Sequence, residues 1–288
     1  MTGRHRAHWN ERIMKRFFGN KNFLVGFILS AVVVSMALLS LVWTPYSANV
    51  MNPRHRLEFS SLQHPLGTDQ YGRDILSRVM VGAVNSIVVG LVTVTIGMGI
   101  GVLLGLAAAY YGRFADEAIM RFSDLLFAFP AVLSAILITS ILGPSVINAM
   151  FAIGLFYIPI FSRLTRAVAT TTWKREYVAA ARACGRSEWA IVRQHVLPNI
   201  LSPLIIQGTI QFAVAILAEA GLSYLGLGTQ PPNPSWGRML NEAQTFMDMA
   251  PWMAVFPGLA IAWAVLGFNL LGDGLRDTLD PKMIRVRA

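Results

Sequence analysis

Six apolar runs, at residues 22–43, 82–111, 118–142, 146–169, 199–222 and 252–273, constrain this chain more than any other feature. Crossing about 30 Å of hydrocarbon takes roughly 20 helical residues, and each run is long enough. Within hydrocarbon every backbone N–H and C=O must find a partner, which a helix supplies from its own chain. The expected fold is therefore an all-α membrane protein with six transmembrane helices. Charged residues make up 14% of the chain, against about 25% in soluble domains, which fits that reading. The first run follows the basic stretch MTGRHRAHWNERIMKRFFGNK. It is too long for a secretory h-region and no small-x-small cleavage site follows, so it reads as an uncleaved anchor.

The net charge of +9 does not point to nucleic acid, because the basic residues sit at the ends of the apolar runs rather than in one patch. With the N-terminus in the cytoplasm, 19 of the 24 Lys and Arg fall on the inner side, leaving Arg54, Arg56, Arg73, Arg78 and Arg238 outside. The positive-inside rule then places both termini in the cytoplasm. The chain divides into a cytoplasmic segment 1–21, an anchor 22–43, an extracytoplasmic segment 44–81, a five-helix core 82–273 and a cytoplasmic tail 274–288. The core carries a cytoplasmic loop at 170–198 and an extracytoplasmic loop at 223–251. A single cysteine, Cys184, excludes an intramolecular disulfide and argues against a cysteine metal site.

The cytoplasmic loop holds a soluble-looking stretch, EYVAAARACGRSEWAIVRQHVLPN at 176–199. Tyr177, Ala180, Ala181 and Cys184 recur at i, i+3, i+4, i+7 and give one small, apolar helix face. Gly185 suits the left-handed residue just past a helix end. Ser187 suits the cap of a second helix with Glu188 in its first turn. Trp189, Val192 and Val196 stripe that second helix, which Pro198 is expected to stop. Such a face either lies flat on lipid headgroups or docks into a protein groove. Alanines offer little anchoring in lipid, which favours the groove.

The same stretch resembles the cytoplasmic signature of bacterial ABC-transporter permeases: Glu-Ala-Ala, three residues, Gly, nine residues, Ile-x-Leu-Pro. Ala179, Ala180, Ala181, Gly185, Leu197 and Pro198 fall at that spacing. Ala179 stands where the signature has Glu and His195 where it has Ile; Glu176, one turn earlier, offers a similar charge. HPLGTDQYGRDILSR (64–78), LSYLGLGTQPPNPSWGRML (222–240) and GDGLRDTLDP (272–281) are similar to the dipeptide/oligopeptide/nickel permeases, in the second of their two types.

This resemblance implies a type I ABC importer-like fold in which 176–198 forms a coupling helix seated in an ATPase subunit. It implies two cytoplasmic ATP-binding subunits, a related permease as heterodimer partner and an extracytoplasmic solute-binding protein. The chain has no G-x-x-x-x-G-K-[ST] phosphate loop, so ATP and Mg are expected to be used by the partners and no cofactor by this chain. The implied cargo is small peptides, with nickel or a nickel chelate as the alternative.

The outward segments carry helical patterns too. Asp74 is expected to cap a short helix with Ile75, Leu76, Val79 and Met80 on one face. PPNPSWG leads into a helix with Met239, Leu240, Ala243, Phe246 and Met247 on one side. Both either cover the bundle or also seat the binding protein.

Within the spans, Gly97, Gly101 and Gly105 form a small-xxx-small stripe for close helix packing. Pro130, Pro159 and Pro257 mark expected kinks. Asp124 is placed to pair with Arg121 at the membrane interface. Gln207, Gln211 and Glu219 are the pathway candidates, since polar groups inside a span are costly; helix–helix hydrogen bonding is the alternative. Asn269, Asp273 and Asp277 straddle the last exit, where GDG reads as a short turn.

Two other classes compete. An ion-coupled secondary transporter needs inverted repeats and mid-membrane carboxylates, and neither is visible. A membrane enzyme needs convergent ligands or a nucleophile with its base. The chain has no H-E-x-x-H or G-x-S-x-G, and its five histidines all lie outside the spans.

Overall fold

The structure, a computed structural model, describes residues 19–279. The basic N-terminal residues, including His5 and His8, and the tail bearing Lys282, Arg285 and Arg287 lie outside them, as does their expected cytoplasmic placement. The described residues form helices and no β-strand, with one isolated antiparallel bridge between Thr68 and Asp74. The helices are α1 (Lys21–Ser40), α2 (Ile75–Tyr111), α3 (Arg113–Ala128), α4 (Ala131–Leu142), α5 (Val146–Trp173), α6 (Glu176–Ala183), α7 (Glu188–Ile191), α8 (Leu197–Tyr224), α9 (Trp236–Ala243) and α10 (Trp252–Leu279). Five helical stretches are long and apolar enough to cross a membrane, or six if the bent pair α3–α4 counts as one.

The expected third span, 118–142, is two helices meeting at 83°. Pro130 supplies no N–H and disfavours helical geometry at the preceding residue, and Phe129 is extended accordingly (φ −102°, ψ 135°). The 12 residues of α4 reach only about 18 Å, too short to span alone. Pro159 and Pro257, by contrast, sit inside unbroken helices.

The short helix expected after Asp74 is the opening of α2 itself. Asp74 caps it, its side chain accepting from Ser77 N at 2.8 Å, and the helix then runs 37 residues, about 55 Å. It outruns the hydrocarbon, so its first turns stand among the loops of one end.

The glycine stripe does what close packing requires. A Cβ on Gly101 would lie 2.7 Å from Ile158 O, one on Gly105 would lie 2.5 Å from Ser162 O, and one on Gly97 would overlap Tyr157. Both numberings rise together along this contact, so α2 and α5 run parallel. At the far side α10 lies antiparallel to α1: Gly267 meets Leu29 and Gly274 meets Phe23. The GDG sequence is thus no turn. It lies inside α10, where Gly274 lets α1 approach.

Helix α8 separates two buried apolar cores. One joins Val33, Val79, Ile216, Trp236 and Met253 from α1, α2, α8, α9 and α10; the other joins Ala135, Phe161, Val178, Ile191 and Leu204 around α5. Trp236 is fully buried and donates from Nε1 to Val79 O at 2.9 Å, pinning α9 onto α2. Met239 and Ala243 are buried on that face, whereas Met247 is exposed, beyond the last turn of α9.

Candidate functional site

The 174–198 loop folds into two short helices joined by a tight turn. After α6, Gly185 takes φ +74°, which glycine alone adopts without strain. Gly185 N then donates to Arg182 O at 2.9 Å and Arg186 N to Ala181 O at 3.1 Å, closing the two carbonyls the helix end would leave open. Ser187 Oγ accepts from Ala190 N to start α7. Arg182 donates to Glu188 through two bonds, 2.9 and 3.3 Å, and lies over the Trp173 ring, bridging the two helices.

Val178 anchors this unit from α6, and Ile191 and Val196 anchor it from the second helix; all three are fully buried. The expected stripe Trp189, Val192, Val196 is corrected. Val196 faces inward, Val192 is half-buried, and Trp189 points outward, 75% exposed. Pro198 does not stop the helix either. A turn with a wider ring, Val192–Val196, in which Leu197 N donates to Val192 O, carries α7 into α8. Pro198 then sits in the first turn of α8, where its missing N–H matters least.

Glu176, Ala179, Ala180, Gly185 and Pro198 are exposed; Ala181 and Leu197 are half-buried. Tyr177, Ala180 and Cys184 from the small face are likewise exposed and, among the described residues, belong to neither buried core. Tyr177 is steadied from behind by Asn199 Nδ2 at 3.4 Å and by the His195 ring, 5.6 Å centroid to centroid.

The pathway candidates share α8 but not an environment. Gln207 is half-buried and Gln211 buried, with Tyr157 Oη donating to the Gln211 carbonyl at 3.1 Å. Glu219 is fully enclosed, and its Oε1 accepts from Ser223 Oγ (2.6 Å) and Thr229 Oγ1 (3.1 Å). Those bonds tie the end of α8 to the loop that follows. Asp124 pairs with Arg163 of α5 at 2.6 Å, not with Arg121, whose partner is Glu117. Asp277 accepts from Asn20 Nδ2 at 3.3 Å, Asp273 is exposed, and Asn269 is half-buried.

One cluster escaped the sequence reading, which counted Arg73, Arg78 and Arg238 only as outward charges. Glu242 accepts from Arg73 (2.7 Å), Arg78 (3.0 Å) and Arg238 (3.2 Å), and Asp69 from Arg73 (2.5 Å). Arg78 is 1% exposed. The i, i+4 spacings Asp69–Arg73 and Arg238–Glu242 were visible; that the two halves meet across 164 residues was not.

The fold defines a helical, multi-pass membrane protein with an exposed pair of short helices at one end. Residues 101–285 match the family described as "Binding-protein-dependent transport system inner membrane component". The chain is 45% identical to the dipeptide transport system permease protein DppC of Alkalihalophilus pseudofirmus, over 96% of this chain and 90% of that one. It is 42% identical to the glutathione transport system permease protein GsiD of Pectobacterium atrosepticum (96% and 92% covered). It is also 42% identical to the di/tripeptide transport system permease protein DppC of Pseudomonas aeruginosa (93% and 90%). A solved structure of the MetNI methionine ABC transporter, in inward-facing conformations, shares the fold with a TM-score of 0.55 at 18% identity, covering 69% of this chain and 95% of that one. The chain belongs to the binding-protein-dependent transport family, as a multi-pass inner-membrane permease with the fold of an ABC importer membrane subunit.

Proposed function

We propose that this permease carries small peptides inward and forms half of the translocation pathway beside a related permease. The observation that carries this reading is the run of peptide-transport relatives aligned along nearly the whole chain, up to 45% identical. Glutathione is itself a tripeptide, and these names favour peptide over nickel as cargo.

In this reading both termini are cytoplasmic and two ATP-binding subunits lie beneath the 174–198 platform. ATP and Mg are bound and used there, not by this chain. Tyr177, Ala180 and Cys184 meet the ATPase, with Glu176, Ala179 and Ala181 at the margins and Gly185, Leu197 and Pro198 setting the shape. The exposure of a small face on this helix pair supports this, since small side chains let a partner come close. Closure of the ATPase pair pushes on α6. The buried anchors Val178, Ile191 and Val196 pass that push into α5 and α8, and Gln207 and Gln211 on α8 face the path it opens. A solute-binding protein delivers peptide to the opposite end.

The test is reconstitution of the whole assembly with its binding protein in proteoliposomes, measuring ATP turnover with dipeptide, tripeptide and nickel. Peptide is expected to raise turnover at least about tenfold above Ala180→Arg. That variant folds, since residue 180 is exposed, but blocks docking. Equal turnover in Ala180→Arg, or stimulation by nickel alone, would contradict the proposal.

A further inference from the structure

The segment ahead of α2 brings together three side chains that nothing in the transport reading uses. His55, Glu58 and His64 each offer one metal-ligating atom, and the three atoms lie within 4.8 Å of one another. We propose that they form a binding site for a borderline divalent cation of the Zn2+ kind, at the end of the molecule opposite the 174–198 platform.

The backbone holds all three. His55 ends a short helical turn, Pro53–His55, which Asn52 caps through Arg54 N. Glu58 N donates to Thr68 Oγ1 at 2.9 Å and Thr68 N returns to Glu58 O at 3.0 Å. Leu57, between them, adopts φ +55°, an unusual conformation for a branched residue that turns the chain back toward His64. His64 N donates to Ser61 Oγ at 3.0 Å, and the His64 carbonyl accepts from Ser61 N and Gly67 N at 2.9 Å.

The chemistry is that of a metal site with its supporting shell. His64 Nδ1 lies 2.9 Å from Asp74 Oδ1, and the other Asp74 oxygen is taken by Ser77. The tautomer in which Nδ1 donates to this carboxylate leaves the Nε2 lone pair for a cation. A carboxylate behind a histidine is the arrangement that orients metal-binding imidazoles. His55 Nδ1 and Glu58 Oε1 are 2.9 Å apart, and the two imidazole centroids 5.8 Å.

Tetrahedral zinc, with ligands at about 2.0–2.2 Å, needs ligand atoms roughly 3.5 Å apart. With all three atoms within 4.8 Å, closing any gap takes at most about 1.3 Å, within side-chain rotation for His55 and Glu58, which are only half-buried. Two imidazoles and one carboxylate suit zinc and its neighbours rather than magnesium or calcium. His55 and His64 both line a cavity of about 420 Å³, together with Tyr46, Asn52, Gln63 and Asp74, which leaves room for a further ligand. Arg54 and Arg56 flank His55 but are exposed, so solvent screens them. A bound ion would staple the 53–58 turn to the 64–74 turn that caps α2.

The test uses the complete transporter in lipid nanodiscs, stripped with chelator and titrated with Zn2+ alone against a chromophoric indicator. The wild type is expected to take up one Zn2+ per permease more than His55→Ala, and X-ray absorption on it to show two imidazole nitrogens. Glu58→Gln is expected to bind at least about tenfold more weakly, because a neutral amide replaces the anionic carboxylate that ligates the metal. His64→Ala also disturbs the Asp74 cap, so the half-buried His55 carries the decision. Equal uptake by wild type and His55→Ala would overturn the proposal, and so would a loss seen only in His5→Ala with His8→Ala.

Discussion

Arg78 shows what a buried charge demands of its neighbours. Its guanidinium shares the Glu242 carboxylate with Arg73 and also donates to the Ala48 carbonyl, so the 44–81 segment, α2 and α9 meet in one ionic knot. Removing one partner of a buried ion pair costs on the order of 3–5 kcal/mol, because the remaining charge keeps its desolvation penalty. Glu242→Gln is therefore expected to lower stability by about 3 kcal/mol, Asp69 retaining part of the compensation. Glu117→Gln, which breaks the exposed pair with Arg121, should cost about 0–1 kcal/mol. Thermal unfolding of the two variants in the same detergent checks the contrast; similar losses would contradict it. At this scale the sequence was informative about residue types and poor about partners. The left-handed Gly185 and the capping Ser187 and Asp74 were legible because caps are local. The Arg163 partner of Asp124 was not, since it sits on another helix, 39 residues away.

At the scale of elements, the helices are placed by small residues. The α2 stripe presses Gly101 against the backbone of α5, while Gly99, on the same helix, has nothing within 4 Å. Gly101→Ala is expected to cost about 1–3 kcal/mol through overpacking. Gly99→Ala should be neutral or slightly stabilising, because alanine is the better helix former. Comparing their thermal midpoints decides it; a Gly101→Ala protein as stable as Gly99→Ala would sink the packing account. Four-residue spacing made this stripe readable in advance. The break at Pro130 was readable as a kink but not as an 83° bend, because a proline fixes where a helix is interrupted and tertiary packing sets by how much. Pro198 misled in the opposite direction. The wide turn ahead of it absorbs the missing donor, and local chemistry alone does not reveal that accommodation.

For the whole molecule, the apolar runs foretold the order of the helices and five of the six long spans, since hydrocarbon leaves a helix no alternative to bonding itself; the sixth is the bent pair α3–α4. How they group around α8 into two cores rests on long-range contacts that no single run encodes. The clustering of His55, Glu58 and His64 belongs to the same category: the spacing resembles no metal motif, and only the folded turns bring the side chains together. The transport account depends on one direction of force, from an ATP-hydrolysing partner into the small face of α6. Cys184 is the only cysteine in the chain and is exposed on that face, which makes it a native probe. A thiol-directed photo-crosslinker placed on Cys184 in the assembled transporter should join this chain to an ATPase subunit, more strongly when ATP is trapped. A crosslink to the solute-binding protein, or labelling of Cys184 by an impermeant reagent from outside the cell, would contradict the account.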